Sequence, residues 1–528
     1  MSSFIPDSAP FNEEQRAWLN GFFAGLTGLQ NPQPGALQAA FDSVNAAGLI
    51  GGTTVVEQEE EFPWHDSSLP IAARMELAKD KPIERKLMAA MAQLNCGSCG
   101  YLCQSYAEAI ATGEEKNLTL CSPGGKETKQ MLKLLVSEPR LDGNRLATGL
   151  VVATAAQYSR KNPYPATLIE SRSLSGPGSA KDVRHVAIDL AGSGLRYEVG
   201  DALGVYPENC AELVDAVIHE VNANADEPVT VASGGQKALR AALTEDCCLK
   251  DPTDELVELL IANGRRGDDR MALKKQLDAG VEAGADVLEL LQSHPCIRVS
   301  AQELVSALGP LNPRLYSIAS SMKHAGDEVH LTVGKVTFER QDRLRKGVAS
   351  TQLADRLSAG GRLRVFVQAH HGGFTVPSDP AAAMIMVGPG TGIAPFMAFL
   401  QERAASGAPG GHWLFFGDQY EACDFLYEEA LRGYQRAGVL TRLDTAFSRD
   451  GDSKVYVQDR MRVNGKELWN WLERGAYFYV CGDAARMAKD VEQALISIVN
   501  EHGGLSPNAA EKYIKELAGA KRYVKDVY

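Results

Sequence analysis

Four cysteines in the first quarter of the chain constrain its fold more than any other feature. Cys96, Cys99 and Cys103 lie within eight residues, and Cys121 follows. Three thiols so close in sequence can face one inorganic centre only where the backbone turns tightly, which the intervening glycines allow. The spacing predicts a 4Fe-4S cluster with all four cysteines as ligands. A structural zinc site and unrelated buried thiols are the alternatives.

The residues that surround these cysteines resemble a small iron-sulfur domain. Tyr106-Ala-Glu-Ala-Ile110 and Gly113-Glu114 follow the third cysteine, and Pro123-Gly124-Gly125 comes shortly after the fourth. The stretch is similar to the iron-sulfur domain of Rnf-type electron-transport subunits and corrinoid iron-sulfur proteins. It has one residue fewer between the second and third cysteines than that family pattern. The resemblance implies that a helix carries the cluster loop.

Length and charge restrict the classes of function. A chain of 528 residues is too long for one core and should divide into about three or four domains. Its net charge of -13 argues against nucleic acid, whose phosphates need a basic surface, so a small molecule or a protein is the expected partner. No basic region followed by an apolar run opens the sequence, which favours a cytoplasmic protein.

One uncharged stretch, residues 381–400, is long enough to cross a bilayer. Glycines and prolines interrupt its middle, so it predicts a buried strand, a glycine loop and a helix start rather than a membrane span.

That loop, Val387-Gly-Pro-Gly-Thr-Gly-Ile-Ala-Pro-Phe396, is typical of dinucleotide binding. Its glycines would let the backbone approach a pyrophosphate at a helix N-terminus. Ser448-Arg449 and Lys454-Val-Tyr-Val-Gln458 follow a later strand and add two cations, which suit the 2′-phosphate that distinguishes NADPH from NADH. A simple turn and solvated surface charge are the alternatives.

Five motifs occur together and in order. They are Arg314-Leu-Tyr-Ser-Ile-Ala-Ser-Ser321, Thr332-Val-Gly334, the glycine loop, Tyr479-Val-Cys-Gly-Asp483 and Arg522-Tyr-Val-Lys-Asp-Val-Tyr528. Together they resemble the reductase half of assimilatory sulfite reductase flavoproteins, within the superfamily of ferredoxin-NADP reductase and cytochrome reductases. The resemblance covers residues 164–528. It implies FAD and NADPH as cofactors.

The resemblance also implies roles for individual residues. Ser317 would lie near the flavin N5, Cys481 near the nicotinamide C4, Asp526 would help to polarise that group, and Tyr528 would shield the flavin and move to admit nicotinamide. The FAD residues would be Arg314, Leu315, Tyr316, Ser317, Thr332, Val333, Gly334, Gly347, Val348, Ala349, Ser350, Thr351 and Tyr528. The NADPH residues would be Gly390, Thr391, Gly392, Ser448, Arg449, Lys454, Tyr456, Gln458 and Asp490. Val348 replaces an expected glycine, and Phe338 an expected tyrosine.

The sequence departs from that family in its N-terminal part. Fewer than a hundred residues precede the cysteines, and no FMN-binding flavodoxin domain is recognisable there. Residues 15–25 loosely resemble the family's leading segment, which is associated with assembly, so an oligomer through this segment is a further expectation. The iron-sulfur segment takes the position of the one-electron module.

The expected fold is multidomain, α/β and β. It comprises an N-terminal helical or irregular segment (1–90), a small, mainly helical iron-sulfur domain (91–135) and a linker (136–165). An antiparallel FAD-binding β-barrel (166–210 and 297–378) with a helical insertion (211–296) and a parallel α/β NADPH-binding domain (379–528) follow.

These expectations combine into one function. NADPH would reduce FAD by hydride transfer, and single electrons would leave through the cluster to a redox protein. The resemblance implies a sirohaem sulfite reductase subunit, although a nitrite reductase, a ferredoxin or another redox protein would also fit. Two alternatives remain. One is a reductase with a structural metal site that serves a ferredoxin or flavodoxin, and the other is a cluster-based redox sensor.

Overall fold

The computed structural model describes residues 62–65, 69–94, 97, 99–137, 158–264, 266–282, 284–369 and 373–528. Most of the predicted segment 1–90, with the stretch 15–25, lies outside these residues, and so does Cys96. The described strands are β1 (Tyr164–Ser173), β2 (Val183–Asp189), β3 (Ala202–Tyr206), β4 (Pro228–Thr230), β5 (Gln236–Ala238), β6 (Arg314–Ser317), β7 (Glu328–Gly334), β8 (Thr337–Arg340), β9 (Arg343–Lys346), β10 (Arg362–Gln368), β11 (Met384–Val387), β12 (His412–Asp418), β13 (Arg442–Phe447), β14 (Tyr477–Gly482) and β15 (Tyr523–Val527).

The described α-helices connect and cover these strands. They are α1 (Ile71–Leu77), α2 (Ile83–Ala89), α3 (Cys103–Thr112), α4 (Gly125–Ser137), α5 (Ala211–Glu220), α6 (Leu239–Glu245), α7 (Asp254–Asn263), α8 (Gly267–Ala279), α9 (Val287–Gln292), α10 (Ala301–Ala307), α11 (Met322–Ala325), α12 (Val348–Thr351), α13 (Ala394–Ser406), α14 (Glu421–Asp424), α15 (Glu428–Arg436), α16 (Val457–Val463), α17 (Gly465–Glu473), α18 (Met487–Gly503) and α19 (Pro507–Gly519).

Six strands form an antiparallel sheet in the order β6-β3-β10-β1-β2-β7. Its core is a layer of aliphatic side chains, among them Val186, Leu203 and Val365. An isolated bridge between Ile318 and Leu331 lies beside the two outer strands. Because the described strands form no continuous ladder between β6 and β7, the structure shows an antiparallel sheet without showing a closed barrel.

A helical region lies between β3 and β6 in the chain. Helices α5 to α10, with the β4–β5 hairpin, surround a core of their own that includes Val214, Leu243 and Leu256. Helices were predicted in this part of the chain. The chain leaves the antiparallel sheet after β3, forms this helical region and returns to the sheet at β6.

The C-terminal part contains a parallel sheet in the order β13-β12-β11-β14-β15. Alternate residues of β11 point to opposite helical layers, with Ile385 in one core and Met384 and Met386 in the other. Burial of both faces explains why β11 and β12 are almost uniformly apolar. The uncharged stretch 381–400 forms β11, the glycine loop and the start of α13, as predicted.

No helix within the described ranges is long and apolar enough to span a lipid bilayer.

The cysteine-rich segment packs beside both the antiparallel sheet and the helical region. Residues Pro63–Tyr528, which include all of these parts, form one compact unit. On α4, the Lys126 amine donates to the carbonyl oxygen of Asp278 at 2.8 Å, and the Lys129 amine pairs with Asp254 at 2.6 Å. These contacts join the cysteine-rich segment to α7 and α8.

Candidate functional site

A cavity of about 1170 Å³ lies between the antiparallel and parallel sheets. One wall comes from β6 and β7, and the opposite wall comes from the carboxyl ends of β12, β14 and β15 and the glycine loop after β11. Loops at the carboxyl ends of parallel strands are the usual ligand sites of such sheets. The cavity is therefore the candidate functional site.

Many residues predicted from the sequence line this cavity. They are Leu315, Tyr316, Ser317, Thr332, Gly334, Gly390, Thr391, Ser448, Tyr456, Gln458, Asp490, Asp526 and Tyr528. The other predicted ligands, Arg314, Val333, Gly347, Val348, Ala349, Ser350, Thr351, Gly392, Arg449 and Lys454, do not line it, nor does Cys481. The structure thus brings together motifs that are more than two hundred residues apart in sequence.

Two predicted catalytic side chains meet on the carboxylate of a third, Asp526. The register of β14 and β15 places Cys481 opposite Asp526. The Ser317 hydroxyl donates to Asp526 Oδ2 at 2.8 Å, and the Cys481 thiol donates to the same oxygen at 3.8 Å. Burial, followed by the nearby carboxylate, raises the pKa of Cys481 well above its usual value. The thiol therefore stays protonated, and it can orient a neighbour but cannot act as a thiolate nucleophile.

Tyr528 lies over the glycine loop. Its hydroxyl forms a 2.8 Å hydrogen bond with the Thr391 hydroxyl, while its backbone N–H donates to the Gly482 carbonyl at 3.0 Å. Its residue surface is 45% exposed. The backbone is therefore held by the sheet edge, whereas among the described residues one side-chain hydrogen bond restrains the ring.

The glycine loop forms a 3-10 turn between β11 and α13. A Cβ on Gly392 would lie 2.2 Å from the Cys481 carbonyl oxygen. Gly390 has φ +57°, which favours glycine. The loop can therefore pass close to β14 and leave its backbone facing the cavity.

The predicted 2′-phosphate residues follow β13. The Ser448 hydroxyl and backbone N–H both donate to the Asp418 carbonyl, at 3.2 and 2.9 Å. Gln458 donates to Asp490 at 3.4 Å. Arg449 and Lys454 are exposed and lie outside the cavity wall. The Arg449 backbone N–H donates to the carbonyl of Gln419, a lining residue, at 2.9 Å, so Arg449 borders the cavity although neither cation forms part of its wall.

The predicted FAD loop forms the short helix α12, with Gly347 at its N-cap. The Thr351 hydroxyl donates to the Gly347 carbonyl at 2.8 Å, and the Val336 N–H donates to the Ser350 hydroxyl at 3.1 Å. Arg314 donates to the Asn312 carbonyl at 2.8 Å. These side chains are engaged with their own loops. Phe338 is 44% exposed on the β8–β9 hairpin.

Thr332 has a second role that the sequence did not indicate. Its hydroxyl lies 2.8 Å from the Tyr427 hydroxyl, which also lies 3.1 Å from His185 Nδ1. Burial, with the nearby His330, lowers the pKa of His185 to about 4. His185 is therefore neutral at physiological pH, and the three side chains join the antiparallel sheet to the start of α15 through hydrogen bonds without a buried charge.

Three of the four predicted cluster ligands come together. Cys99, Cys103 and Cys121 line one small cavity with Tyr106 and Pro123. Cys103 begins α3, so the third predicted ligand is on the helix that the resemblance implied. No three His, Cys, Asp or Glu side chains in the described ranges could hold a single metal ion. Thiols that line a shared space are the kind of ligand that iron-sulfur clusters use.

The cysteine loop lies against the wall of the main cavity. Gly97 and Leu102 line that cavity beside Leu315, and a Cβ on Gly97 would lie 2.9 Å from Leu315 Cβ. At Gly100 a Cβ would lie 2.8 Å from the ring of Pro313. The lack of side chains at these two glycines allows the loop to approach β6 closely.

Arg160 strengthens this contact, and sequence reasoning missed it. Its guanidinium carbon lies 3.4 Å above the centre of the Tyr101 ring, and Nη1 donates to the Gly100 carbonyl. The Arg160 carbonyl accepts a 2.8 Å hydrogen bond from Tyr206 of β3. Burial, as the largest effect, raises the pKa of Tyr101 to about 12. Only a resemblance that covered the linker could have indicated this residue.

Three family models match segments of the chain. The model described as "FAD binding domain" matches residues 156–262 and 269–352, and "Oxidoreductase NAD-binding domain" matches 386–493. The model described as "Putative Fe-S cluster" matches residues 91–123. The first match includes much of the helical region between β3 and β6.

Several curated proteins named sulfite reductase [NADPH] flavoprotein alpha-component are similar to the chain. The protein from Vibrio cholerae El Tor Inaba N16961 is 46% identical over 407 residues, which are 76% of this chain and 65% of that protein. The protein from Bacillus subtilis (strain 168) is 45% identical over 377 residues, which are 71% of this chain and 62% of that protein. The protein from Escherichia coli O157:H7 is 45% identical over 387 residues, which are 72% of this chain and 64% of that protein. The chain thus matches less than two thirds of the length of these relatives.

Proposed function

This chain is a relative of the sulfite reductase [NADPH] flavoprotein alpha-components that combines FAD-binding, NAD-binding and iron-sulfur segments, and we propose that it is an NADPH-dependent reductase. FAD would supply hydride acceptance from NADPH and release of single electrons to a 4Fe-4S cluster. One observation carries the proposal: a single cavity is lined by Ser317 and Asp526, by the glycine loop and by the cysteine loop.

The chain's own residues prepare the hydride site. Asp526 accepts hydrogen bonds from Ser317 and Cys481 through one oxygen, which fixes the orientation of both side chains. These small polar groups would flank the flavin and the nicotinamide. Tyr528 would occupy the nicotinamide position until its bond to Thr391 breaks. This arrangement would orient the two reacting rings toward each other, which is the main contribution a protein makes to hydride transfer.

The nucleotide would lie along the carboxyl ends of the parallel strands. The glycine loop would receive the pyrophosphate, and Ser448 and Tyr456 would contact the adenosine end. The exposed cations Arg449 and Lys454 would reach the 2′-phosphate from the mouth of the cavity. Arg314 and the Gly347–Thr351 loop would hold the FAD pyrophosphate after a change in their present hydrogen bonds.

The iron-sulfur segment would be the exit for electrons. Cys96, Cys99, Cys103 and Cys121 would be the ligands, although the first of them lies outside the described residues. Gly97 and Leu102 border the cavity that also holds Tyr316, so the predicted cluster loop and flavin site are neighbours. This proximity supports direct transfer within the chain rather than a purely structural metal site.

Several finer assignments belong to the same proposal. A sirohaem sulfite reductase subunit is the proposed electron acceptor, and the cytoplasm is the proposed location. The segment that includes residues 15–25 would mediate an oligomer. The antiparallel sheet would close into a barrel around the core of Leu203 and Val365. The domain boundaries predicted from the sequence would delimit the corresponding units.

The first experiment tests the cofactors. Protein purified without oxygen should show flavin absorption, and chemical analysis should give about four irons per chain if the cysteine quartet binds a 4Fe-4S cluster. Flavin absorption without iron would reject the cluster and leave the reductase proposal standing.

The second experiment tests the electron route. Cys99→Ser should leave reduction of FAD by NADPH fast, because that site is separate, and should slow reduction of the acceptor about tenfold or more. Stopped-flow absorbance at flavin wavelengths measures the first step, and steady-state acceptor turnover measures the second. Cys248→Ser is the matched control because Cys248 lies in the helical region, outside both cavities. Unchanged acceptor turnover in the Cys99 variant would remove the cluster from the route.

A further inference from the structure

A buried carboxylate in the main cavity has a role that neither the motifs nor the comparisons assign. Asp418 is the last residue of β12, and its side chain is 1% exposed. Its Oδ1 accepts hydrogen bonds from the Lys181 amine and, at 2.7 Å, from the Gln419 N–H. Its Oδ2 has no hydrogen-bond partner among the described residues, although the residue lines the cavity.

A second acceptor lies beside it. Gln419 also lines the cavity, and its buried Oε1 has no hydrogen-bond partner within the described part of the chain. A buried polar atom without a partner costs about 1–3 kcal/mol, so native proteins usually satisfy such atoms with water or ligand. Two adjacent acceptors without donors in the protein suit a bound group that presents hydrogen-bond donors here.

The strand order tells which part of a dinucleotide would pass this point. From one edge, the sheet runs β13, β12, β11, β14, β15. Asp526 on β15 marks the proposed nicotinamide end, the loop after β11 the pyrophosphate, and Ser448 after β13 the 2′-phosphate. Asp418, on β12, therefore stands between the pyrophosphate and the 2′-phosphate, where the adenosine ribose would lie.

Local contacts agree with this position. A Cβ on Gly390 would lie 3.7 Å from Asp418 Oδ2, so this oxygen faces the glycine loop. The Ser448 N–H and hydroxyl both donate to the Asp418 carbonyl, so the same residue also holds the start of the 2′-phosphate segment. The free oxygen thus lies between the two phosphate-binding loops.

A carboxylate in this place must not repel the phosphates. Lys181 comes from the loop before β2 of the other sheet, and its amine pairs with Asp418 in the cavity wall. This ion pair cancels the carboxylate charge while Oδ2 keeps its capacity to accept a hydrogen bond. In many dinucleotide-binding proteins an acidic residue at a strand end receives the ribose hydroxyls. A 2′-phosphorylated ribose retains one of them, the 3′-hydroxyl.

We propose that Asp418 Oδ2, held by Lys181 and flanked by Gln419, accepts a hydrogen bond from the 3′-hydroxyl of the adenosine ribose of NADPH. This inference rests on the proposed function, because it takes NADPH as the ligand of the cavity. It makes Asp418 a binding residue for the adenosine half of the nucleotide and gives the ion pair a role beyond joining the two sheets.

The test is calorimetric titration of the flavin-loaded protein with 2′,5′-ADP and with its 3′-deoxy analogue. Wild-type protein should bind the 3′-deoxy analogue about tenfold more weakly. In Asp418→Ala and Asp418→Asn the affinity for 2′,5′-ADP should fall, and the preference for 2′,5′-ADP over its 3′-deoxy analogue should shrink or disappear. Because the comparison of ligands also uses the unaltered protein, it does not depend on a variant's ability to fold.

Asp424→Asn is the matched control, because Asp424 is a buried carboxylate six residues later that does not line the cavity. It should keep the full preference for 2′,5′-ADP. Equal binding of both ligands by wild-type protein would overturn the inference. So would an Asp418→Ala protein that loses affinity for nicotinamide mononucleotide but not for 2′,5′-ADP. If wild-type protein bound neither NADP⁺ nor 2′,5′-ADP, the proposed function itself would fail.

Discussion

The contact of Arg160 with the cysteine loop predicts how tightly the iron-sulfur segment docks beside the flavin cavity. The guanidinium stacks on Tyr101 at 3.4 Å and donates to the Gly100 carbonyl. The stacking should contribute about 1 kcal/mol and the charged hydrogen bond about 1.5 kcal/mol. Arg160→Ala should therefore weaken docking by about 2–3 kcal/mol, or about 50-fold in the docking equilibrium.

Other contacts should keep part of the docking. The ion pairs Lys129–Asp254 and Lys161–Glu114 remain. Both side chains of the second pair are exposed to solvent, so this pair contributes little. Arg160→Lys keeps the charge and loses the planar stack, so its effect should lie between those of alanine and wild type.

Two measurements check this prediction. Amide hydrogen exchange should become faster in residues 99–112 of Arg160→Ala, and stopped-flow absorbance should show slower acceptor reduction with unchanged reduction of FAD by NADPH. Arg196→Ala is the matched control, since Arg196 is 73% exposed and pairs with Asp327 away from the cysteine loop. Exchange and transfer rates within about twofold of wild type in Arg160→Ala would refute the docking reasoning.

Two further predictions concern the main cavity. Asp526→Asn should slow flavin reduction by NADPH about tenfold or more while NADP⁺ affinity changes by less than about threefold, because a neutral amide oxygen holds the Ser317 and Cys481 donors more weakly than the charged carboxylate and removes its negative charge from the site. Stopped-flow absorbance and calorimetry measure the two quantities, and a large loss of NADP⁺ affinity alone would contradict the orienting role. Arg449→Ala should raise KM for NADPH about tenfold and leave KM for NADH nearly unchanged. Steady-state kinetics with both nucleotides would show equal effects if Arg449 does not meet the 2′-phosphate.

Local sequence patterns predicted the elements well where one physical rule dominated. The apolar run before the glycine loop contains no charged residue that would need contact with water. It therefore predicted a buried strand, and the structure buries both of its faces. The glycines of the loop predicted a backbone approach to a pyrophosphate, which stays a prediction, whereas the close packing of Gly392 against the Cys481 carbonyl was not predicted. The helical stretch after β3 was also predicted, since its periodic leucines and alanines need a core of their own.

The candidate site was predictable where motifs supplied it. Ser317, Cys481 and Asp526 were named from separate motifs, and the structure places them around one oxygen. Arg449 and Lys454 were named in the same way, but they stay outside the cavity lining. Side-chain type predicts chemical capacity, whereas the position of a long exposed side chain depends on a ligand that the sequence does not contain.

The sequence by itself determined the kinds of chemistry present, because thiol spacing, glycine runs and strand-end polar residues express local rules of ligand geometry and backbone conformation. Only the tertiary structure decided which residues of distant segments contact one another. Arg160 on Tyr101, Gly97 against Leu315, and Lys181 on Asp418 join segments between roughly sixty and two hundred and forty residues apart. No local pattern encodes such pairs, since they depend on how packed sheets and loops approach each other in space.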